Sequence, residues 1–128
     1  MDLDHVGIAT DILDAIADQY VGLFDAELAH EETFDDMRIV FLNIGNGYLE
    51  LIQPSGTEGP IASYINDTGP GIHHLAFRTD DIERAMDRAR SLGVTPLDDE
   101  PRLGAWGHQV AFFHPRDTGG VLVEFVQH

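Results

Sequence analysis

The segment Gly71-Ile72-His73-His74-Leu75-Ala76-Phe77 decides how the rest of the chain is interpreted, because it places two adjacent histidines in a short apolar run. Successive side chains of a β-strand point to opposite faces of a sheet, so His73 and His74 face opposite ways. One of them is a candidate ligand and the other a candidate packing residue. Since His73 shares its face with Leu75 and Phe77, strand alternation favours packing for His73.

The beginning of the chain repeats this segment in a simpler form, Asp4-His5-Val6-Gly7-Ile8-Ala9-Thr10-Asp11. His5 lies 69 positions before His74, and Glu50 lies 74 positions before Glu124 in a second pair of similar apolar segments. Two copies of one supersecondary unit, each about 60 residues long, are the simplest explanation of this pattern.

Each copy predicts the element order β-α-β-β-β. In the first copy we expect a strand over 3–9, a helix over 11–24 capped by Thr10-Asp11, and strands over 29–33, 37–44 and 48–53. In the second copy we expect a strand over 72–77, a helix over 82–92 capped at 79–81, a weak strand over 94–97, and strands over 109–114 and 121–127.

The predicted fold class is α+β, with two βαβββ modules forming a cupped mixed sheet and helices on the outer face. We expect one domain over residues 1–128, with module 1 at about 1–54, a linker at 55–70 and module 2 at about 71–128. The linker is rich in Gly, Ser, Thr and Pro, and a short helix is expected at 61–65.

Composition narrows the function further. The chain has 7 basic residues, all arginine, against 23 acidic ones, and its formal net charge of -16 argues against nucleic-acid binding. There is no cysteine, so a metal would have to be held by His, Asp, Glu or an amide. Without an apolar membrane span or signal core, a soluble cytoplasmic protein is expected, and the acidic surface indicates a halophilic cytoplasm.

Each copy carries one histidine in its first strand and one glutamate in its last. Pairing the copies around a pseudo-twofold axis could bring together His5, Glu50, His74 and Glu124. A single strand histidine is more often a hydrogen-bonded core residue than a ligand. A glutamate within an apolar strand, however, costs several kcal/mol if it is buried without a partner. The recurrence of both residue types therefore predicts a site for a divalent metal ion.

The other histidines allow weaker predictions. His108 lies in a Gly-containing loop and is a candidate for contact with a ligand, and His114 ends a strand before Pro115. His30 and His128 are expected at the surface.

The sequence resembles those of the vicinal oxygen chelate superfamily (glyoxalase, bleomycin resistance and dioxygenase proteins). Within that superfamily it resembles the family of methylmalonyl-CoA epimerases. The segments that carry the resemblance cover nearly the whole chain. They are Asp4 to Ala9, Gly45-Asn46 with Leu49-Glu50-Leu51, Ser55 to Ala62, Gly71 to Phe77, Asp99-Glu100-Pro101-Arg102, and His114-Pro115-Arg116 with Gly119 to Glu124.

The resemblance implies two βαβββ modules around a metal held by His5, Glu50, His74 and Glu124, and it selects His74 rather than His73. It implies epimerisation of (R)- and (S)-methylmalonyl-CoA by proton abstraction and return through a metal-stabilised enolate. It also implies a homodimer. The ion would be Co, Mn, Zn or Ni, all of which suit His and carboxylate ligands.

The chain departs from part of that family at two catalytic positions. Some epimerases carry a glutamate where this chain has Ile39, and a glutamine where it has Glu50. Glu124 is therefore the first candidate for the acid/base, and Glu50 is expected to serve as both ligand and proton carrier.

A further departure concerns substrate binding. Many relatives have a lysine or arginine at the position of His108. The expected contacts for the carboxylate and the coenzyme A phosphates are His108, Arg102 and Arg116.

Two other functions fit the same layout. A glyoxalase-I-like lactoylglutathione lyase uses a similar set of four ligands, and metal-free members of the superfamily bind small molecules without chemistry. The segments around Pro60 and His114 favour the epimerase, and the intact ligand set in both copies argues against the metal-free proteins.

Overall fold

The computed structural model describes all residues, 1–128, and contains eight strands, three α-helices and two short 3₁₀ turns. The first half of the chain contains β1 (Asp2–Ala9), α1 (Leu13–Phe24), β2 (Glu27–Phe34), β3 (Met37–Asn43), β4 (Tyr48–Pro54) and α2 (Pro60–Thr68). The second half contains β5 (Gly71–Arg78), α3 (Ile82–Ser91), β6 (Arg102–Leu103), β7 (Gln109–Phe113) and β8 (Val123–Gln127). The predicted α+β class with two βαβββ modules is confirmed.

The strands belong to one eight-stranded mixed sheet with the order β2-β3-β4-β1-β5-β8-β7-β6. The chain divides into two compact units, which we call the first unit (His5–His73) and the second unit (Met1–Asp4 with His74–His128). Strands β1 and β5 each contribute residues to both units.

In the first unit, β1 runs parallel to β4, and β3 lies antiparallel between β2 and β4. Helix α1 covers one face of these strands. Its buried Leu13 packs with alternate strand residues, since every second side chain points towards the helix. The core on this face consists of Leu13, Ala26, Val40, Leu42 and Leu51.

The second unit repeats this arrangement. Strand β5 runs parallel to β8, and β7 lies antiparallel to both β8 and β6. Helix α3 buries Ile82 and Met86 against Ala111 of β7 and Phe125 of β8. Asp81 caps this helix, as predicted, by accepting a hydrogen bond from the Arg84 N–H at 3.1 Å.

The predicted cap of α1 at Thr10-Asp11 is wrong. The N-cap residue is Ile12, whose side chain makes no capping hydrogen bond. The N–H of Leu13 donates instead to Oε1 of Gln53 at 2.8 Å. The second unit has the same long-range bond, since the Ile82 N–H donates to Oε1 of Gln127 at 2.8 Å. In both units, therefore, a glutamine at the end of the last strand accepts from the first turn of the helix.

Two other segments differ from expectation. Residues 94–97 form only an isolated bridge, between Pro96 and Phe113, and the short edge strand lies instead at Arg102–Leu103. The helix expected at 61–65 is present but spans Pro60–Thr68, beginning with proline, whose fixed φ suits the first helical turn.

Arg38 links three elements of the first unit. Its guanidinium lies 2.7 Å from Glu31 on β2 and 2.8 Å from Asp14 on α1. The hydrogen bond to Glu31 is the largest cause of a raised pKa of Arg38, and the hydrogen bond to Asp14 raises it further.

None of the helices has the length and apolar composition that crossing a membrane requires.

Candidate metal centre

The first candidate pair lies within the first unit. His5 of β1 and Glu50 of β4 are 4% and 6% exposed, and His5 Nε2 lies 3.3 Å from Glu50 Oε1. The parallel register places Gly7, which has no side chain, beside Glu50. This face of the strands is the one opposite α1, because Leu51, next to Glu50, belongs to the core under that helix.

The second unit contains an equivalent pair. His74 of β5 and Glu124 of β8 are 4% and 5% exposed, and His74 Nε2 lies 3.2 Å from Glu124 Oε1. Ala76, two residues after His74, lies beside Glu124 in the parallel register. The two His–Glu pairs therefore occupy equivalent positions in the two repeats, with nearly equal separations.

An aromatic ring stands behind each imidazole. Phe41 lies opposite Glu50 in the register and meets the His5 ring edge-on at 5.4 Å. Phe112 lies opposite Glu124 and meets the His74 ring at 5.9 Å in the same T-shaped geometry. Such packing restricts the rotation of both imidazoles, so their ring nitrogens keep a fixed direction.

These four residues have the chemistry of a divalent metal site. Burying a carboxylate is costly unless it is paired with a cation or bound to a metal, and each pair brings together one nitrogen and one carboxylate donor. Imidazole and carboxylate suit Co, Mn, Zn and Ni, and the absence of cysteine leaves no softer ligand. The donor set therefore fits the metal that the sequence predicts.

His73 lies in a different environment from its neighbour His74. It is half-buried, and its ring packs edge-on against Tyr64 of α2 at 5.0 Å. Tyr64 in turn donates its hydroxyl to the carbonyl of Ile72 at 2.5 Å.

The three residues expected to contact substrate lie in the second unit. The Arg102 guanidinium is 5.5 Å from the ring centroid of Phe112, the ring that backs His74, and Nε lies 3.3 Å from Asp98. His108 is half-buried, and Arg116 is exposed on a 3₁₀ turn where its N–H donates to Nδ1 of His114 at 3.1 Å. Arg102 and His74 therefore both contact the ring of Phe112.

A stack of three aromatic rings in the second unit is not predicted from the sequence. Trp106 stacks on His108 with ring centroids 5.4 Å apart, and His108 stacks on His128 at 3.9 Å. His128 Nε2 lies 2.6 Å from Oδ1 of Asp4, which is buried. His128 is exposed, as expected, and this contact and this stacking hold its imidazole in place. His108 and His128 each lie next to a residue of the register pair Gln109–Gln127, so the stack becomes visible only once that register is known.

Comparisons with known proteins identify the family of the chain. Residues 4–112 match the model of the Glyoxalase/Bleomycin resistance protein/Dioxygenase superfamily. The ethylmalonyl-CoA/methylmalonyl-CoA epimerase of Cereibacter sphaeroides is 38% identical, and the alignment covers 98% of this chain and 96% of the relative.

Two solved structures have the same fold and are similar in sequence. The methylmalonyl-CoA epimerase of Mycobacterium tuberculosis is 35% identical with a TM-score of 0.93, over 98% of this chain and 87% of that chain. A methylmalonyl-CoA epimerase in complex with methylmalonyl-CoA and NH4+ is 35% identical with a TM-score of 0.92, over 98% of this chain and 93% of that chain. The chain therefore belongs to the glyoxalase, bleomycin resistance protein and dioxygenase superfamily, and within it to the family of the methylmalonyl-CoA epimerases.

Proposed function

We propose that this protein interconverts the (R) and (S) epimers of methylmalonyl-CoA. The observation that carries the proposal is the pair of buried His–Glu contacts, 3.3 and 3.2 Å long, at equivalent positions of the two repeats. Relatives that cover nearly the whole chain are named for this activity. The relative from Cereibacter sphaeroides is also named for ethylmalonyl-CoA, so the proposed substrates are short branched malonyl thioesters.

We also propose that one divalent ion takes ligands from His5, Glu50, His74 and Glu124. What supports the proposal is the equivalence of the two repeats, since each buries one His–Glu pair with its donor atoms 3.3 and 3.2 Å apart. Donors bound to one ion are separated by about this much, because metal–ligand bonds to nitrogen and oxygen are about 2.0–2.2 Å long.

When bound, the ion would supply a Lewis acid that lowers the pKa of the carbon between the thioester and the carboxylate. Glu124 would remove and return a proton at that carbon, and Glu50 would serve as ligand and proton carrier. Arg102, His108 and Arg116 would hold the carboxylate or the coenzyme A phosphates by charge-assisted hydrogen bonds.

A homodimer is proposed as well. The resemblance to the epimerases supports it, and so do large exposed apolar side chains of the kind that interfaces cover, among them Leu23, Phe24 and Leu28, which are 65%, 51% and 61% exposed. The cytoplasmic location and the saline medium remain predictions from composition.

The function is tested by incubating each pure epimer of methylmalonyl-CoA with protein that has been stripped by a chelator and then given Co, Mn, Zn or Ni. We expect the second epimer to form with at least one of these metals, and formation to stop when the chelator is added. If no metal supports epimerisation and a glutathione hemithioacetal is converted instead, the lyase assignment replaces this one. If neither is turned over, a binding protein of the same fold is indicated.

A further inference from the structure

Edge strand β2 carries two titratable side chains on the face that holds His5 and Glu50. In the antiparallel register His30 lies opposite Phe41, and Phe41 lies opposite Glu50 on the next strand. Glu32 lies opposite Ile39. Directly opposed residues of neighbouring strands point to the same face, so His30 and Glu32 share the face of the proposed ligands.

The two side chains form a pair. His30 Nε2 lies 3.4 Å from Glu32 Oε1, and the side chains are 28% and 26% exposed. The His30 ring is 6.3 Å from the ring of Phe41, which itself touches the His5 ring at 5.4 Å. The pair is therefore separated from the proposed ligand His5 by a single aromatic ring.

Apart from the half-buried phenol of Tyr48, which is a weaker acid than a carboxylic acid, the other side chains on this face offer little acid/base chemistry. Ile39 and Ile52 are buried and apolar, and Met37 lies at the end of β3. Glu27 also falls on this face, opposite Asn43, but it is exposed. Apart from the proposed ligand Glu50, Glu32 is the partly buried carboxylate of this face.

Epimerisation requires a proton to leave one face of a carbon and another proton to arrive on the opposite face, so two groups must flank that carbon. Neighbouring strands are about 4.8 Å apart, which places β2 about 10 Å from β4. A substrate carbon held above β3 would then have Glu32 on one side and the proposed ligands of the first unit on the other.

We propose that Glu32, rather than the ligand Glu50, is the second acid/base of the epimerisation and that His30 is its positioning residue; the inference rests on the proposed function. As a carboxylate, Glu32 takes the proton from the α-carbon of one epimer. The C–H bond breaks, an O–H bond forms on Glu32, and the electron pair of the C–H bond is delocalised onto the thioester carbonyl. A group on the opposite face then gives its proton to the carbon, and the reverse reaction returns the proton of Glu32.

The test uses Glu32→Gln in D₂O, starting from each pure epimer and measuring inversion and α-deuterium incorporation separately. Glu27→Gln is the matched control, because it removes an exposed carboxylate from the same strand and face. We expect Glu32→Gln to lower the inversion rate about 100-fold or more while one epimer still exchanges its α-proton without inversion. Glu27→Gln should invert at the wild-type rate.

Two results would overturn the assignment: inversion by Glu32→Gln at the rate of Glu27→Gln, or equal loss of exchange from both epimers. If the wild-type protein itself neither inverts nor exchanges either epimer, the proposed function fails instead, so the two failures are distinguishable.

The role of His30 is tested with His30→Gln. A positioning role predicts a kcat about tenfold lower with an unchanged KM and an unchanged thermal unfolding midpoint, because the carboxylate remains but loses its orientation. A wild-type kcat, or a change in the unfolding midpoint alone, would exclude that role.

Discussion

Adjacent residues of one strand can have unrelated roles, and His73 and His74 are the example in this molecule. His74 is buried 3.2 Å from Glu124, whereas His73 is half-buried against Tyr64. Strand alternation places the two side chains on opposite faces of the sheet, because each step of one residue along a strand reverses the face to which the side chain points.

Replacement of His74 by alanine tests this separation. We expect His74→Ala to weaken divalent metal binding more than about 100-fold, since losing even an outer partner of a metal ligand costs about 10–100-fold. His73→Ala, the matched control, should bind metal within about twofold of the wild type. Isothermal titration with Co²⁺ measures both, and circular dichroism checks that both variants are folded. Equal losses in the two variants would contradict the alternation argument.

At the residue scale, the sequence predicts what strand periodicity determines and misses what depends on distant chain ends. The pairs His5–Glu50 and His74–Glu124 follow from a repeated pattern in apolar strands. The contact between Asp4 and His128 joins residues 124 positions apart, and no local pattern indicates it. The same holds for the neighbours of Glu32, which become visible only once the register of β2 against β3 is known.

Both α1 and α3 receive a hydrogen bond acceptor from the end of a distant strand. Gln53 and Gln127 occupy the same position in the two repeats, and each accepts from a first-turn N–H at 2.8 Å. An N-terminal N–H without an acceptor is left unsatisfied, so these bonds tie each helix to the last strand of its own unit.

Gln53→Ala and Gln127→Ala should each lower the free energy of unfolding by about 1 kcal/mol, the usual effect of removing a helix N-cap acceptor. Gln19→Ala, an exposed change within α1, should leave it unchanged or raise it by a few tenths of a kcal/mol. Urea denaturation at fixed salt measures all three. If Gln53→Ala and Gln127→Ala behave like the Gln19 control, the bonds contribute nothing to stability.

Gly104 precedes the 3₁₀ turn that carries Trp106, and it packs against a core strand. A Cβ at this position would lie 2.8 Å from Cγ1 of Val110, too close for an ordinary contact. We expect Gly104→Ala to destabilise the protein by about 1–3 kcal/mol through this overpacking.

Gly22→Ala in α1 is the opposite case, because its Cβ would meet no atom within 4 Å. It should stabilise the protein by about 0.5–1 kcal/mol by removing backbone freedom from the unfolded chain. Thermal unfolding of both variants compares the two effects. If Gly104→Ala stabilised the protein, the backbone at 104–107 would have to shift at little cost, and the overpacking argument would be contradicted.

At the element scale, strongly periodic segments are predicted well and weakly periodic ones are not. Helix α3 begins after the predicted cap residue Asp81 because Asp81 accepts a local bond from Arg84. The start of α1 is mispredicted because its first N–H is satisfied by Gln53, which lies 40 residues away. The strand expected at 94–97 reduces to a bridge at Pro96, since proline has no N–H to extend a ladder.

For the whole molecule, charge is the dominant feature. A net charge of -16 on 128 residues makes the folded state repel itself in dilute buffer. Ion pairs to acidic side chains are made by Arg38, Arg90 and Arg102, and this leaves most carboxylates to be screened by the solvent.

The free energy of unfolding should therefore rise as KCl is increased from 0.05 to about 2 M, because the Debye length falls to about 3 Å at 1 M. The double variant Asp35→Asn, Asp36→Asn removes two charges at positive-φ turn positions that asparagine tolerates. It should show a smaller salt dependence than the wild type. A protein equally stable at both salt concentrations would contradict the predicted adaptation to salt.

The central proposal is that one divalent ion takes its ligands from the His–Glu pairs of both repeats. Native mass spectrometry of the chelator-stripped chain, titrated with Co²⁺, measures the stoichiometry directly. The account predicts one ion per chain in the wild type and loss of that ion in both Glu50→Gln,His5→Ala and Glu124→Gln,His74→Ala. Two ions per chain, or one ion retained by either double variant, would show that the pairs act separately and would contradict the shared site.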